Sequence, residues 1–349
     1  MQELLYLIIF IIIILSFLVY IDYQPKPKEV LVQNDNGRKI KNKKFSLLSW
    51  NLGYCSMDAE VDFFMNGGKG SRAVSKERVD ENLTEILKTL GQEEYDFVFL
   101  QEVDKSATRS FYVNQYERLQ AFFKEYNSLF AITYKTYWVP VPLFKPMGRV
   151  LSGLVTFSKY HPSSAIRFTL PGNYSLFTRF LHLDRCFIEE RYPINGKELI
   201  FINLHLSAFD KGGFIREQQL KFLFKHIKEE EEKGNYLVVG GDWNSIFPEM
   251  ETHVFNKGKK NPVWTPIELK KEEFLKNWKF LSDQNVATCR LSNKPYVKGE
   301  NFVYVVDGFL LSSNIKVLKM KGLDLDFQHS DHNPIVLEFE LEINDVKSK

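Results

Sequence analysis

Cysteine is scarce, with only Cys55, Cys186 and Cys289 in 349 residues. They are odd in number and far apart, with no CxxC pair and no histidine at ligand spacing. This argues against a disulfide framework or a thiolate metal site and predicts buried free thiols. Charge of one sign is lacking too: 46 Lys and Arg against 44 Asp and Glu leave a formal net charge of +2. The chain as a whole is therefore not biased toward a polyanion, although a local groove can still be basic. No internal repeat and no long Gly/Ser or Pro linker interrupts residues 44–342, which predicts one large domain. No Lys or Arg precedes the first apolar run. No small-x-small site follows it, where Val19-Tyr20-Ile21-Asp22-Tyr23 stands instead, and this disfavours a cleaved signal peptide.

That run, Leu4 to Ile21, is apolar except for Ser16 and Tyr20. As a helix it rises about 27 Å, close to the hydrocarbon thickness of a bilayer, and it is read as a single-pass transmembrane anchor over residues 1–23. Lys26, Lys28, Arg38, Lys39, Lys41, Lys43 and Lys44 follow the span while Glu3 precedes it, so the flanking charges lean the rest of the chain toward the cytoplasmic side. Residues 24–43 mix Pro, Lys, Asn and Gly and read as a solvated tether. The catalytic domain is expected over 44–342 and a tail over 343–349. Nothing indicates an obligate protein partner.

Six short segments each read as a buried strand with a polar residue at its mouth. Ser46–Asn51 ends in Asn51, Phe97–Glu102 in Glu102 and Leu199–His205 in His205. Tyr236–Asn244 finishes as Gly240-Gly241-Asp242-Trp243-Asn244, Phe302–Leu310 carries Asp307, and Ser330-Asp331-His332-Asn333-Pro334 leads into Ile335–Phe339. Aliphatic runs place strands in a core, so a carboxylate, amide or imidazole at each mouth implies one shared polar cleft. Amphipathic helices lie between them. One follows the N-cap Ser75 and ends at Gly91, one runs from about Gly213 to Lys233, and a third from about Asn114 to Tyr126. Glu229 to Glu232 read as a solvated helix face.

The residue types suggest hydrolysis at phosphorus. A hard divalent cation takes one or two carboxylates and leaves positions for water and phosphate, which suits Glu102 at the end of Phe97-Val98-Phe99-Leu100. An aspartate inside Val305-Val306-Asp307-Gly308-Phe309 must be paired or solvated, and His332 needs a partner to fix its tautomer. An Asp307–His332 pair would serve general base or phosphate-binding work; the plainer alternative is a structural hydrogen bond. Asp242 and Asn244 share one side of an extended chain and could place a water and a phosphate oxygen. His205 could donate to a phosphoryl oxygen as charge develops.

In this order, Trp50-Asn51, Gln101-Glu102, Asn203-Leu204-His205-Leu206, Gly241-Asp242-Trp243-Asn244, Val306-Asp307 and Ser330-Asp331-His332 resemble the endonuclease/exonuclease/phosphatase superfamily. That group includes pancreatic-type deoxyribonucleases, apurinic endonucleases, inositol polyphosphate phosphatases and neutral sphingomyelinases. The resemblance implies an α/β fold, a four-layer α/β/β/α sandwich of two mixed sheets with the site at one end. It implies that Asn51 and Glu102 hold Mg²⁺, with Mn²⁺ as a possible substitute, and that Asp331 completes the metal and phosphate environment. Asp307 would orient His332, Asp242 and Asn244 would position water and substrate, and His205 would bind or protonate the phosphoryl group. Whether Asp242 or His332 takes the proton from water is left open by the motifs.

The substrate is less constrained, because one site chemistry serves several phosphodiesters. His205-Leu206-Ser207-Ala208-Phe209-Asp210, followed by Arg216 and Gln219, resembles a stretch of bacterial sphingomyelinases, with Lys211 able to meet a phosphate. The alternative is an ordinary β-to-α turn capped by Asp210. Lys69, Arg72, Arg109, Arg149, Arg179 and Arg185 could line a groove for a nucleic-acid backbone, and residues 66–72 could form a basic rim. No Arg and Tyr can be assigned to the places that pancreatic-type nucleases use beside their glutamate. The expectation is a membrane-anchored, Mg²⁺-dependent phosphodiesterase acting on a phospholipid headgroup. The alternatives are a nuclease acting on DNA or RNA and a catalytically silent member that binds lipid or protein.

Overall fold

Side chains alternate between two cores along the central strands, which is what a strand covered on both faces requires. In Lys44–Asn51, Phe45 and Leu47 enter one buried cluster while Leu48 and Trp50 enter another. Phe97 and Phe99 divide from Val98 and Leu100 in the same way. In Lys197–His205, Leu199 and Phe201 join the first cluster, and Ile200, Ile202 and Leu204 join a third. The computed structural model describes residues 2–172, 182–208, 210–248, 250, 252–260, 262, 265–270 and 277–343. Arg179, Phe209 and residues 344–349 lie outside them.

Two mixed sheets result. The six-stranded sheet runs in the order Ile315–Gly322, Ile335–Leu341, Lys44–Asn51, Phe97–Asp104, Gly148–Ser158, Asn127–Val139. The seven-stranded sheet runs Lys28–Val30, Ser164–Thr169, Cys186–Ile194, Lys197–His205, Tyr236–Asp242, Asp307–Leu311, Lys279–Leu281. An aromatic layer lies between them. Phe201 sits at its centre, its ring centroid 3.9 Å from that of Phe97 and about 6 Å from those of Phe99, Tyr192 and Phe339. Phe201→Ala is expected to cost about 3–5 kcal/mol, measurable by denaturant unfolding, because the cavity cannot collapse between two sheets.

The outer faces carry the helices. Lys76–Leu90 and Gln115–Phe122 cover the six-stranded sheet, and Phe214–Glu232 covers the other. This is the four-layer α/β/β/α sandwich. Ser75 Oγ accepts from Arg78 N at 3.2 Å, as the cap read from the sequence requires, and Asn114 Oδ1 accepts from Glu117 N at 3.2 Å at the expected start of the other helix, which ends at Phe122 instead of near Tyr126. Cys55, Cys186 and Cys289 are free and buried.

Three segments differ from their sequence reading. The Phe302–Leu310 strand is broken into Val303–Tyr304 and Asp307–Leu311. At the break the Thr288 hydroxyl accepts from both Val306 N (3.0 Å) and Asp307 N (3.1 Å), replacing ladder bonds. Glu230 turns inward, 3% exposed, and takes two bonds from Arg191. That pairing, together with Lys233 and Asn235, overcomes the cost of burial and lowers its carboxyl to about 2. Within 24–43, Lys28–Val30 pairs as an edge strand with Ile166–Phe168, and the Asn34 amide donates to Tyr126 O, so this stretch is laid along the domain. Ahead of it, Gln2–Ile21 is one helix, and Gln2–Tyr20 is long and apolar enough to cross a membrane with none of its apolar window buried in the fold.

Candidate active site

The polar strand mouths meet because the two sheets are aligned at one end. Lys44–Asn51 and Phe97–Asp104 are parallel, with Asn51 opposite Gln101, and Lys197–His205 and Tyr236–Asp242 are parallel, with His205 opposite Asp242. Asp307 begins an antiparallel strand opposite Asp242. The sheets are riveted just below the site, where Gln101 Nε2 donates to Asn203 Oδ1 across the core at 2.8 Å. The motif tryptophans act as braces. Trp50 Nε1 donates to His332 O at 2.8 Å and Trp243 Nε1 to Gly308 O at 3.1 Å. Gly241, with φ +134°, allows the close pairing: a Cβ there would lie 2.1 Å from Leu204 O.

All eight metal and catalytic candidates face one cleft or stand directly behind it. Asp242 is the hub. Its Oδ2 accepts from Asn51 Nδ2 at 3.0 Å and lies 3.2 Å from His205 Nε2 and 3.8 Å from His332 Nε2, while Oδ1 accepts from Asn244 N. Asp307 Oδ2 pairs with His332 Nδ1 at 2.8 Å, which fixes the ring and aims Nε2 at Asp242. Asn244 takes the left-handed conformation, φ +48°, and donates from Nδ2 to Leu206 O. Asp331 Oδ2 accepts from Ser292 Oγ at 3.0 Å. Glu102 sits on a bulge with φ +56°, between Leu100 and Val103, which turns its carboxylate out of the ladder into the cleft.

Burial and like charges set the electrostatics. Burial pushes the Glu102 carboxyl up to about 7, and the Asp331 carboxylate adds to the rise against the pull of Arg109, His332 and Arg185. Asp242 is raised to about 6 by burial and by Asp307. His205 falls well below the ordinary histidine value, first through burial and then through Arg185 and His332, and is neutral at pH 7. Burial also disfavours charge on His332, but Cys289 and the carboxylates of Asp307 and Asp242 reverse this and raise it well above the ordinary value. Two buried carboxylate oxygens, Asp307 Oδ1 and Asp331 Oδ1, lack hydrogen-bond partners, as does the buried Arg185 Nη1.

The remaining candidates are placed differently. Arg109 lines the cleft but is gripped by Asp104, at 2.9 Å (Nη2 to Oδ1) and 3.2 Å (Nε to Oδ2), and its guanidinium carbon stacks 3.2 Å from the Tyr54 ring centroid. Lys211 opens the short turn Lys211–Gly213 before the Phe214–Glu232 helix; its side chain lies outside the described residues. Asp210 Oδ2 accepts from Arg216 N at 2.8 Å and caps that helix. Arg216 Nη1 in turn donates to Ser207 O and Asn244 O, tying the loop to the site. Of the other basic residues proposed for a groove, Arg185 lines the cleft, whereas Lys69, Arg72 and Arg149 do not.

The cleft measures about 420 Å³ and has an apolar lining that strand patterning did not reveal. Phe63, Phe64, Val139, Met147, Leu183 and Leu291 line the cleft together with the polar residues, and Phe64, Val139, Met147 and Leu183 belong to one apolar cluster. His182 and Tyr54 also line the cleft. The usable signal was composition: residues 134–150 contain no Asp or Glu.

Residues 48–332 match the model of the Endonuclease/Exonuclease/phosphatase family, and the chain belongs to that family. Its members are typically hydrolases of phosphoester bonds and generally use divalent metal ions. Among solved structures it is similar to an endonuclease/exonuclease/phosphatase from Beutenbergia cavernae, at 15% identity and TM-score 0.55, covering 86% of this chain and 72% of that one. It is also similar to ANGEL2, a 2',3'-cyclic phosphatase in complex with adenosine-2',3'-vanadate, at 16% identity and TM-score 0.56, covering 90% and 99%. A third is D. rerio TDP2 complexed with single strand DNA product, at 16% identity and TM-score 0.53, covering 86% and 100%. At these identities the likeness is one of fold. No curated protein matches the chain.

Proposed function

We propose that this chain is a membrane-anchored, Mg²⁺-dependent phosphodiesterase that hydrolyses a phospholipid at the headgroup phosphodiester. The observation that carries the reading is the mixed lining of the cleft, in which the polar strand mouths share one cavity with apolar side chains, Phe64, Val139, Met147 and Leu183 packed together among them. A lipid presents both chemistries at once. Residues 1–23 would form the anchor, 24–43 the connection and 44–342 the catalytic domain, with the basic residues after the span favouring the cytoplasmic face.

The donor set fits a hard cation. Asp331 Oδ1 is buried without a partner, and the Asp331 carboxylate helps raise the carboxyl of Glu102 in spite of Arg109, His332 and Arg185, so two acidic groups repel one another where a cation would relieve them. Glu102, Asp331 and the Asn51 amide oxygen would hold it. Asp242, Asp307 and His332 also bring ligand atoms within 4.8 Å of one another. Their hydrogen bonds to each other and to Asn51 make that trio the acid–base unit instead. A bound divalent cation would supply charge neutralisation to the phosphoryl oxygens.

The protein groups then divide the work. Asp242, raised to about 6 and ionised for the most part at pH 7, takes the proton from water, and Asn244 helps place that water. His332, held protonated by Asp307, and the neutral N–H of His205 stabilise the charge that develops on phosphorus-bound oxygen. Arg185 supplies an unpaired N–H to the phosphate. Arg185→Ala is expected to raise KM about 10–100-fold with a smaller change in kcat, read by steady-state kinetics.

A substrate panel tests the reading. Full-length protein with Mg²⁺ should release phosphorylated headgroup from phosphatidylcholine or sphingomyelin vesicles. Cleavage of DNA or RNA oligonucleotides with lipid left intact would transfer the site to a nuclease, the reading favoured by the likeness to the single-strand DNA complex of D. rerio TDP2. Binding of one of them without turnover would mark a silent member.

A further inference from the structure

The antiparallel strands Asn127–Val139 and Gly148–Ser158 are joined by a tip that is apolar and exposed. Phe144 is 98% exposed and Leu143 79%, and Tyr137, Trp138 and Val141 are exposed beside them. Soluble surfaces seldom gather so much apolar area at one projecting point. From residue 134 to 150 there is no Asp or Glu, while Lys135, Lys145 and Arg149 are exposed around the tip. An aromatic pair bordered by basic residues suits the boundary between headgroups and acyl chains, above all in an anionic leaflet.

The backbone is prepared for the same environment. Pro140, Pro142 and Pro146 have no N–H to leave unpaired. The N–H groups of Lys145 and Met147 donate within the tip, to Pro142 O at 3.2 Å and Val141 O at 2.9 Å. Two carbonyls are also satisfied from outside: Ser71 Oγ donates to Lys145 O at 2.6 Å and Arg72 Nε to Pro146 O at 2.9 Å. The 66–72 loop, expected to form a basic rim, thus braces the tip. A segment with few backbone groups in need of water pays little to leave it.

Position points to the occupant. Tyr23, just beyond the Gln2–Ile21 helix, lies beneath Lys135, whose Nζ is 5.6 Å from its ring centroid. The apolar helix therefore leaves the domain beside the strand that carries the tip. Val139, Val141 and Met147 line the cleft, and Phe64 and Leu183 pack on the same wall, so apolar surface continues from the tip into the site. We propose that residues 137–147 dock into an anionic lipid surface, the same one the helix enters, and turn the apolar wall of the cleft toward it. This deepens the lipid reading given above and rests on it.

The test uses full-length protein reconstituted in phosphatidylcholine/phosphatidylserine vesicles carrying doxyl-labelled lipid. The Trp138 signal, taken as the difference between wild type and Trp138→Phe, should be quenched, more by a doxyl group near the headgroup than by one deep in the chain. The double variant Leu143→Asp/Phe144→Asp should lose this quenching and hydrolyse vesicle lipid at least about tenfold more slowly, since two apolar side chains no longer partition into the interface. Its turnover of soluble bis(4-nitrophenyl) phosphate should be unchanged. An unquenched Trp138 in the wild type would overturn the proposal. So would a Trp138 signal that follows protein density and ignores the doxyl label, which would mean that a second copy covers the tip. Quenching without hydrolysis of any phosphodiester would uphold the docking and remove the catalytic reading.

Discussion

Glu102→Gln is expected to lower turnover by about 10²–10³-fold and to erase the rise in thermal midpoint that Mg²⁺ gives the wild-type chain. The second effect needs no substrate. Glu102 is held near Asp331, and burial raises its carboxyl from 4.5 to about 7. A carboxyl raised on folding contributes stability that is present below its unfolded value and lost as pH rises through its folded value. The cation-free protein should therefore lose stability between about pH 4 and 7, by up to about 3 kcal/mol from this group. A cation held by Glu102 and Asp331 would restore it, so the Mg²⁺-induced shift should be larger at pH 8 than at pH 5. The amide variant carries no such penalty and should melt higher than the cation-free wild type at pH 8. A full Mg²⁺ shift in Glu102→Gln would place the cation elsewhere, with the Asp242, Asp307 and His332 group as the remaining site.

His332→Asn should lower kcat by about 10²–10⁴-fold and change the shape of the pH profile in a way that separates two roles. With Asp242 as base, activity rises as pH passes about 6 and falls only where His332 loses its proton, well above the ordinary histidine value. Removing His332 then deletes the alkaline limb and leaves the acid limb, shifted to higher pH because a neighbouring positive charge no longer favours the ionised form of Asp242. Were His332 the base, its loss would delete the acid limb instead. Asp307→Asn should copy the loss in milder form, since the ring keeps a partner at Nδ1 but loses the carboxylate that favours its charge.

The parts of this molecule that the sequence disclosed are those written in local periodicity. Phe45, Leu47, Phe97 and Phe99 alternate with Leu48, Trp50, Val98 and Leu100, and such two-faced apolar strands already imply covering layers on both sides. Once the strands are parallel in pairs, Asn51, Glu102, His205 and Asp242 must emerge at one end. Long-range pairing was not legible. Arg109 offered itself as a free cation, but Asp104 grips it. The glutamate run looked like solvent-facing charge, yet Glu230 closes on Arg191, which lies in a strand of another layer. The division of the Phe302–Leu310 segment depends on one hydroxyl, Thr288, from a different loop. The apolar lining of the cleft has no local signature because it is assembled from Phe64, the hairpin base and Leu183, none of which has an informative period alone.

The most direct test of the account is the rate of phosphodiester hydrolysis by the full-length chain, measured on phospholipid vesicles and on bis(4-nitrophenyl) phosphate before chelation, after EDTA, and after Mg²⁺ is restored. Hydrolysis of both substrates that EDTA abolishes and Mg²⁺ returns, with Glu102→Gln inactive under all three conditions, is the predicted result. Hydrolysis that survives EDTA undiminished, or that Glu102→Gln retains in full, would contradict the claim that Glu102 and its neighbours hold a cation at the centre of a phosphodiesterase.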